Sequence, residues 1–242
     1  MMFKIRCNCE IRMRRVCMFL CALCFGLSNS FSQSPIELQF IPTWKGVAID
    51  QVPFCANFSE TDSICLHVFR FYIHGIQFNS HGKRVWNSSF EHYLIDVEHD
   101  ESMRLRFNLP DSISIDEVQF ILGVDSVLQL NGAHSGVLDP IQGMYWTWQS
   151  GYIGWKFEGE ELSAGQSTAI QWHVGGFRAP YQTQRTVRLK IGEVRGSIQC
   201  SIQIDRLLHD WRSIVPAEVM SPNDSAKLLA DRFQTCFQIK QR

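Results

Sequence analysis

The chain is predicted to be all-β: an antiparallel β-sandwich or barrel-like domain with a C-terminal helix. Three observations carry that expectation. Through most of the chain apolar residues recur at every second position, as in Met103, Leu105, Phe107 and Leu109, with Ser102, Arg104, Arg106 and Asn108 between them. The runs are short and are parted by Gly, Asn, Asp and Pro, the punctuation of sandwiches and barrels. A period of 3.6 surfaces only near the end.

The amino-terminal stretch stands apart. Arg12, Arg14 and Arg15 precede an apolar run over 16–27, and small polar residues follow at 28–33, which is the order of a secretory signal peptide. The run is too short to span a bilayer, so an integral membrane protein is not expected. Met13 is the expected true start. Ser30 and Ser32 supply small residues at the −3 and −1 positions of a cleavage site. The organisation is thus a signal peptide over 1–33 and one domain over 34–242.

Loss of residues 1–33 removes five basic residues and one acidic residue and leaves a net charge of −5. No basic block remains to grip phosphates, so nucleic acid is excluded as a partner. Four cysteines stay: Cys55, Cys65, Cys200 and Cys236. An even count in an exported chain predicts disulfides. Cys55 with Cys65 would close a short loop and leave Cys200 with Cys236; the alternative is that Cys200, on the apolar face of its strand, is a buried thiol.

In order along the domain, strands are expected over 36–41, 65–73, 92–97, 103–109, 118–124, 152–157, 169–174, 187–191 and 198–204. Each alternates or carries a β-branched and aromatic run. A helix follows Pro222, capped by Asn223 or Asp224. Its Ala226, Leu229, Ala230 and Phe233 share one face and are expected to cover one end of the sheets. With 45% apolar and 19% charged residues the domain can bury a full core, which excludes disorder.

Enzyme motifs are absent: no HExxH, no GxSxG elbow, no phosphate-binding glycine loop. Acid pairs such as Asp116-Glu117 and Glu160-Glu161 read as solvated carboxylates beside turns. The chain is therefore not expected to be an enzyme. What stands out is a long glycine-punctuated connection between the strands at 118–124 and 152–157, ending in Gly143-Met144-Tyr145-Trp146-Thr147-Trp148-Gln149-Ser150-Gly151-Tyr152. Connections of that length in compact domains usually carry function. In an extended conformation Met144, Trp146, Trp148 and Tyr152 would point to one side and Tyr145 to the other. A core would bury such aromatics; a soft metal would also be held by them.

That block, together with Gly123-Val124-Asp125-Ser126, Gly136-Val137-Leu138-Asp139-Pro140 and His173-Val174-Gly175-Gly176-Phe177, resembles the MbnP-like family of secreted copper-binding proteins. The resemblance covers nearly all of the mature chain. It implies a periplasmic or secreted β-rich protein that binds copper, with Cu(I) favoured by an apolar shell. The partner it implies is a di-haem protein resembling cytochrome c peroxidase. In related copper scavengers a tryptophan is oxidised to kynurenine, whose aniline-type amine can join imidazoles around copper; an intact indole has only an N–H donor.

The site residues implied by the resemblance are His173 as an imidazole ligand, Trp146 and Trp148 as targets of oxidation or walls, Met144 as a thioether and Asp139 as a harder ligand or a cap at Pro140. His134 has no family counterpart and reads as a loop histidine. His67, His74, His81, His92, His99 and His209 read as exposed strand or turn positions. The alternative to copper is a sandwich that binds glycans or proteins on exposed Trp146, Trp148, Trp155 and Trp172.

Overall fold

The computed structural model describes residues 33–88, 91–110, 114–146, 151–194 and 196–240. The expected signal peptide, apart from Gln33, lies outside the described residues, and so does Trp148. No helix among the described residues is long and apolar enough to cross a membrane.

A long strand, β4 (Asp62–Ser80), organises the larger, ten-stranded sheet. Its residues 63–66 pair with both β3 (Phe54–Asn57) and β10 (Gly151–Ser163). Residues 73 and 74 pair with both β6 (His92–Asp96) and β8 (Ile115–Leu122). A residue paired twice uses both of its edges. Strands β10 and β8 therefore follow one another along one edge of β4, while β3, β6 and β5 (Lys83–Asn87) follow along the other. Beyond β8 lies β12 (Arg185–Val194); beyond β10 lie β11 (Gln166–Gly175) and β14 (Glu218–Val219). The smaller sheet runs β15 (Phe237–Ile239), β13 (Ser197–Gln203), β1 (Gln33–Trp44), β2 (Val47–Ala48), with β7 (Arg104–Pro110) also on β1.

The fold is thus the expected sandwich-like, mostly β domain, with one refinement. Its sheets are mixed: β1 lies parallel to β13, and β11 parallel to β14. Parallel neighbours need long crossovers, and side-chain alternation is blind to strand direction.

The inner faces meet in an aromatic core. Phe40 of β1 stands edge-on to Phe71 and Phe120 of the large sheet, with ring centroids 5.8 and 5.6 Å apart, the geometry that ring quadrupoles favour. The helix α3 (Asp224–Gln234) starts where the Asn223 side chain accepts from the Ala226 N–H at 2.8 Å, satisfying an amide that helical geometry leaves open. Ala226, Leu229, Ala230 and Phe233 are its buried residues. The helix does more than cover an end: Phe233 reaches between the sheets, 4.9 Å from both Trp155 and Phe237. Strand β15 then follows it. Ile204, expected to end a strand, instead opens a short helix, α2 (Ile204–Leu208).

Cys55 and Cys65 face one another across the β3–β4 ladder and form a disulfide. The second expected bridge is corrected: Cys200 and Cys236 are buried free thiols. Cys200 stands opposite Ile239, whereas the Cys236 carbonyl accepts from the Gln203 N–H. Three residues of strand, about 10 Å, separate the two positions, more than a disulfide spans.

Candidate metal centre

Strands β8 and β10 meet end to end at the edge of β4. A Cβ built on Gly154 would lie 3.3 Å from Gly123 Cα. Over residues 124–146 the described chain leaves the sheet and folds over its outer face as a lid. The lid holds α1 (Ser126–Leu130), capped by Asp125 accepting from the Val127 N–H at 2.8 Å, then two 3-10 turns, Gly136–Leu138 and Pro140–Gln142. Strand β9 (Tyr145–Trp146) closes it by pairing with the start of β10.

Under the lid lies a second apolar cluster of Tyr72, Val124, Leu138, Met144, Trp146, Tyr152 and Ile153. Its tyrosines also fasten the lid. Tyr72 donates its hydroxyl to the Val137 carbonyl at 2.8 Å and Tyr152 to the Leu138 carbonyl at 2.9 Å, while Arg70 donates to the Gln142 carbonyl at 3.1 Å.

One extra residue in β10 makes this arrangement possible. Ile153 stands opposite Gly175 and Trp155 opposite Val174, so Gly154 is bulged out of the ladder. The bulge turns Ile153 to the outer cluster while Trp155 faces the inner core. Antiparallel pairing of β9 with β10 also corrects the expected parity: Tyr145 lies beside Tyr152, rings 4.8 Å apart, and not on the opposite side.

His173 lies on the outer face of β11, opposite Lys156. Its Nε2 is 2.7 Å from Glu158 Oε1, and Lys156 Nζ is 3.5 Å from the same oxygen. A carboxylate only accepts, so Nε2 carries the proton and Nδ1 keeps its lone pair. Burial, the largest effect, holds the imidazole pKa below its ordinary value, with the Lys156 charge pushing the same way against the pull of Glu158. Burial works to raise the Glu158 carboxyl, yet the His173 hydrogen bond and Lys156 together bring it below the usual range. The pair is thus a neutral imidazole on a carboxylate.

Trp146 shares that face. A Cβ built on Gly175 would lie 2.8 and 3.1 Å from carbons of the Trp146 indole, and Gly175 and His173, two apart on a regular strand, point the same way. Glycine at 175 lets the ring lie on the strand about 6.6 Å from His173 along the chain. The Trp146 Nε1 is buried with no hydrogen-bond partner, as is that of Trp155, which sits in the inner core.

The remaining predicted residues divide. Met144 is fully buried in the outer cluster. Asp139 caps the Pro140 turn, its Oδ1 accepting from the Ile141 N–H at 2.9 Å. His134 Nε2 lies 3.0 Å from the Leu128 carbonyl, within the lid. His74 is not exposed, a correction: it is 7% accessible, bonded at Nδ1 to the Gly123 carbonyl at 3.0 Å and stacked on His92. Trp146, Trp155 and Trp172 are 4%, 2% and 0% accessible, so these three make no exposed sugar platform. Asp96, Glu98 and His99 converge within 4.8 Å, but the Arg70 guanidinium already engages both carboxylates of that cluster, at 3.3 and 3.5 Å. Sequence reasoning missed Glu158 and Lys156, although their alternation with Trp155 and Phe157 puts them on the His173 face.

The MbnP family profile matches residues 33–222 of the chain. Among solved structures, MbnP from Methylosinus trichosporium is similar, with 13% identity and a TM-score of 0.50 over 74% of this chain and 78% of that one. At that identity the likeness is one of fold. No curated protein matches the chain.

Proposed function

The chain belongs to the MbnP family, and on that premise we propose that it is an exported, periplasmic or secreted protein that binds copper on the lidded face around His173. It acts as a binder and not as an enzyme. The observation that carries this reading is the His173–Glu158 pair beside a buried Trp146.

The residues fit copper as follows. His173 offers a neutral Nδ1, the imidazole form that suits a borderline-soft metal. Glu158 fixes the tautomer through Nε2, as partners of metal-bound histidines do. Met144 supplies a polarisable thioether within the same apolar cluster. Asp139 is spent on its turn and serves as a cap. The orphaned indole N–H of Trp146 is where ring opening to kynurenine would turn an idle donor into an amine with a lone pair. A di-haem partner resembling cytochrome c peroxidase would supply the oxidant. The lid keeps water from the face, and an apolar shell of this kind favours Cu(I).

Protein purified from its native host tests this. Copper should copurify, and a tryptic peptide spanning Trp146 and Trp148 should carry the mass increase of exchanging one ring carbon for oxygen. His173→Ala should abolish copper retention with the fold near native. Glu158→Ala should weaken copper binding about 10–100-fold, while Glu158→Gln, which keeps an acceptor, retains most of it. Copper-free protein with both indoles intact after coexpression with the haem partner would refute the reading.

A further inference from the structure

Lys156 stands between Arg70 and His173. On the outer face it is directly opposite Arg70 of β4 on one side and His173 of β11 on the other. Like charges set opposite one another destabilise a sheet, so the ladder itself gives no reason for a lysine beside Arg70. The Arg70 guanidinium is taken up by Asp96 and Glu98. Lys156, its side chain 14% accessible, turns instead to Glu158, with Nζ 3.5 Å from the Oε1 that also accepts from His173. Glu158 is the carboxylate of β10 that faces this histidine. Glu160 turns to His67 at 3.7 Å. Glu161, contrary to its reading as a solvated turn residue, is 8% accessible and accepts from Trp211 Nε1 at 3.0 Å and Arg212 Nε at 2.9 Å.

A histidine backed by a bare carboxylate draws cations, and draws them harder the higher their charge. The ammonium on the same oxygen cancels that pull. Through the shared oxygen it lies within about 6 Å of the imidazole, close enough for charges in a partly buried setting to act on one another. Ligand type alone leaves zinc a competitor, because imidazole suits zinc as well as copper.

We propose that Lys156 is a charge filter for the His173 site, admitting a monovalent soft cation and holding off divalent ions such as Zn(II) and Cu(II). The inference rests on the copper reading above and adds to it the residue that sets its selectivity. A monovalent ion meets the repulsion of the ammonium once and a divalent ion twice. At separations up to about 10 Å and an effective dielectric near 20, a unit charge changes affinity about tenfold or more for each unit on the ion.

Competition with chromophoric chelators on copper-stripped mature chain tests this, for Zn(II) and for Cu(I) kept reduced under nitrogen. The wild type should bind Cu(I) through His173 and bind Zn(II) weakly. Lys156→Met should strengthen Zn(II) binding about tenfold more than Cu(I) binding, and Lys156→Gln, polar but uncharged, should match it. Lys156→Arg keeps the charge and should hold the wild-type ratio. Lys156→Met combined with Glu158→Gln should return most of the way to that ratio, because both charges leave together. An unchanged ratio in Lys156→Met and Lys156→Gln, or a ratio altered as much by Lys156→Arg, overturns the filter and leaves the copper reading standing. A wild-type chain without His173-dependent Cu(I) binding overturns the copper reading and the filter with it.

Discussion

Gly175→Ala is the sharpest probe of how Trp146 meets β11. The added Cβ would lie 2.5 Å from the Tyr152 carbonyl oxygen and 2.8 Å from the nearest indole carbon, against ordinary contacts of 3.4–4 Å. The indole is the end of a side chain and can swing. The carbonyl belongs to the ladder of β10 and cannot, so a displacement of about 0.9 Å must be shared by two strands. Overpacking of this kind costs about 1–3 kcal/mol, and at about 2–4 °C per kcal/mol for a domain of this size the Tm should fall by about 2–12 °C. Circular dichroism melts measure that loss, and copper retention should fall with it as the ring leaves the strand. Gly192→Ala is the control. It has nothing within 4 Å and should be neutral or stabilising by up to about 1 kcal/mol. A Gly175→Ala protein with the wild-type melt would show that the Tyr152 carbonyl does not press on this strand, and unchanged copper retention would show that the indole is not needed there.

Other consequences are as direct. Cys200 and Cys236 should resist a disulfide-exchange reagent in the native mature chain and titrate as two thiols only after denaturation; burial pushes Cys236 up to about 12 and Cys200 upward as well, so little thiolate forms. Phe233→Ala should cost about 3–5 kcal/mol in urea melts, because its fully buried ring packs on Phe69, Phe71, Trp155 and Phe237. Burial depresses the pKa of His74 below 6.5, outweighing the Gly123 bond and Asp125. The stability that its neutral form contributes is complete above about 6.5 and is lost as the pH falls below it. The urea midpoint should therefore drop between pH 7.5 and 5.0, and His74→Gln should flatten part of that slope, His173 acting in the same direction.

Alternation was enough to place most of the strands and, with the 3.6 period, the face of α3, because each of these elements has one wet and one dry side. It could not show that β1 pairs parallel with β13, since two segments some 160 residues apart leave no local trace of their pairing. Nor could it show the bulge at Gly154, which reverses the face of Ile153 by one uncounted residue. At the candidate site, the long connection between the strands at 118–124 and 152–157 and its aromatic block stood out in the sequence, and His173 was singled out by the resemblance. The alternation of Glu158 with Trp155 and Phe157 marked its face but not its partner, because its contact with His173 runs diagonally across β10 and β11. The buried His74 was misread for a related reason: the stacked His92 ring and the Gly123 carbonyl close on a position that alternation alone would leave wet.

The close approach of Gly123 to Gly154 means that the lid departs from and returns to nearly one point on the scaffold. A segment tethered in this way behaves as an exchangeable cassette. Doubling its length would add only about 0.6 kcal/mol of closure entropy, while the strands beneath keep their pairing. Substitution or insertion in this excursion can therefore be absorbed without renegotiating the sandwich that carries it.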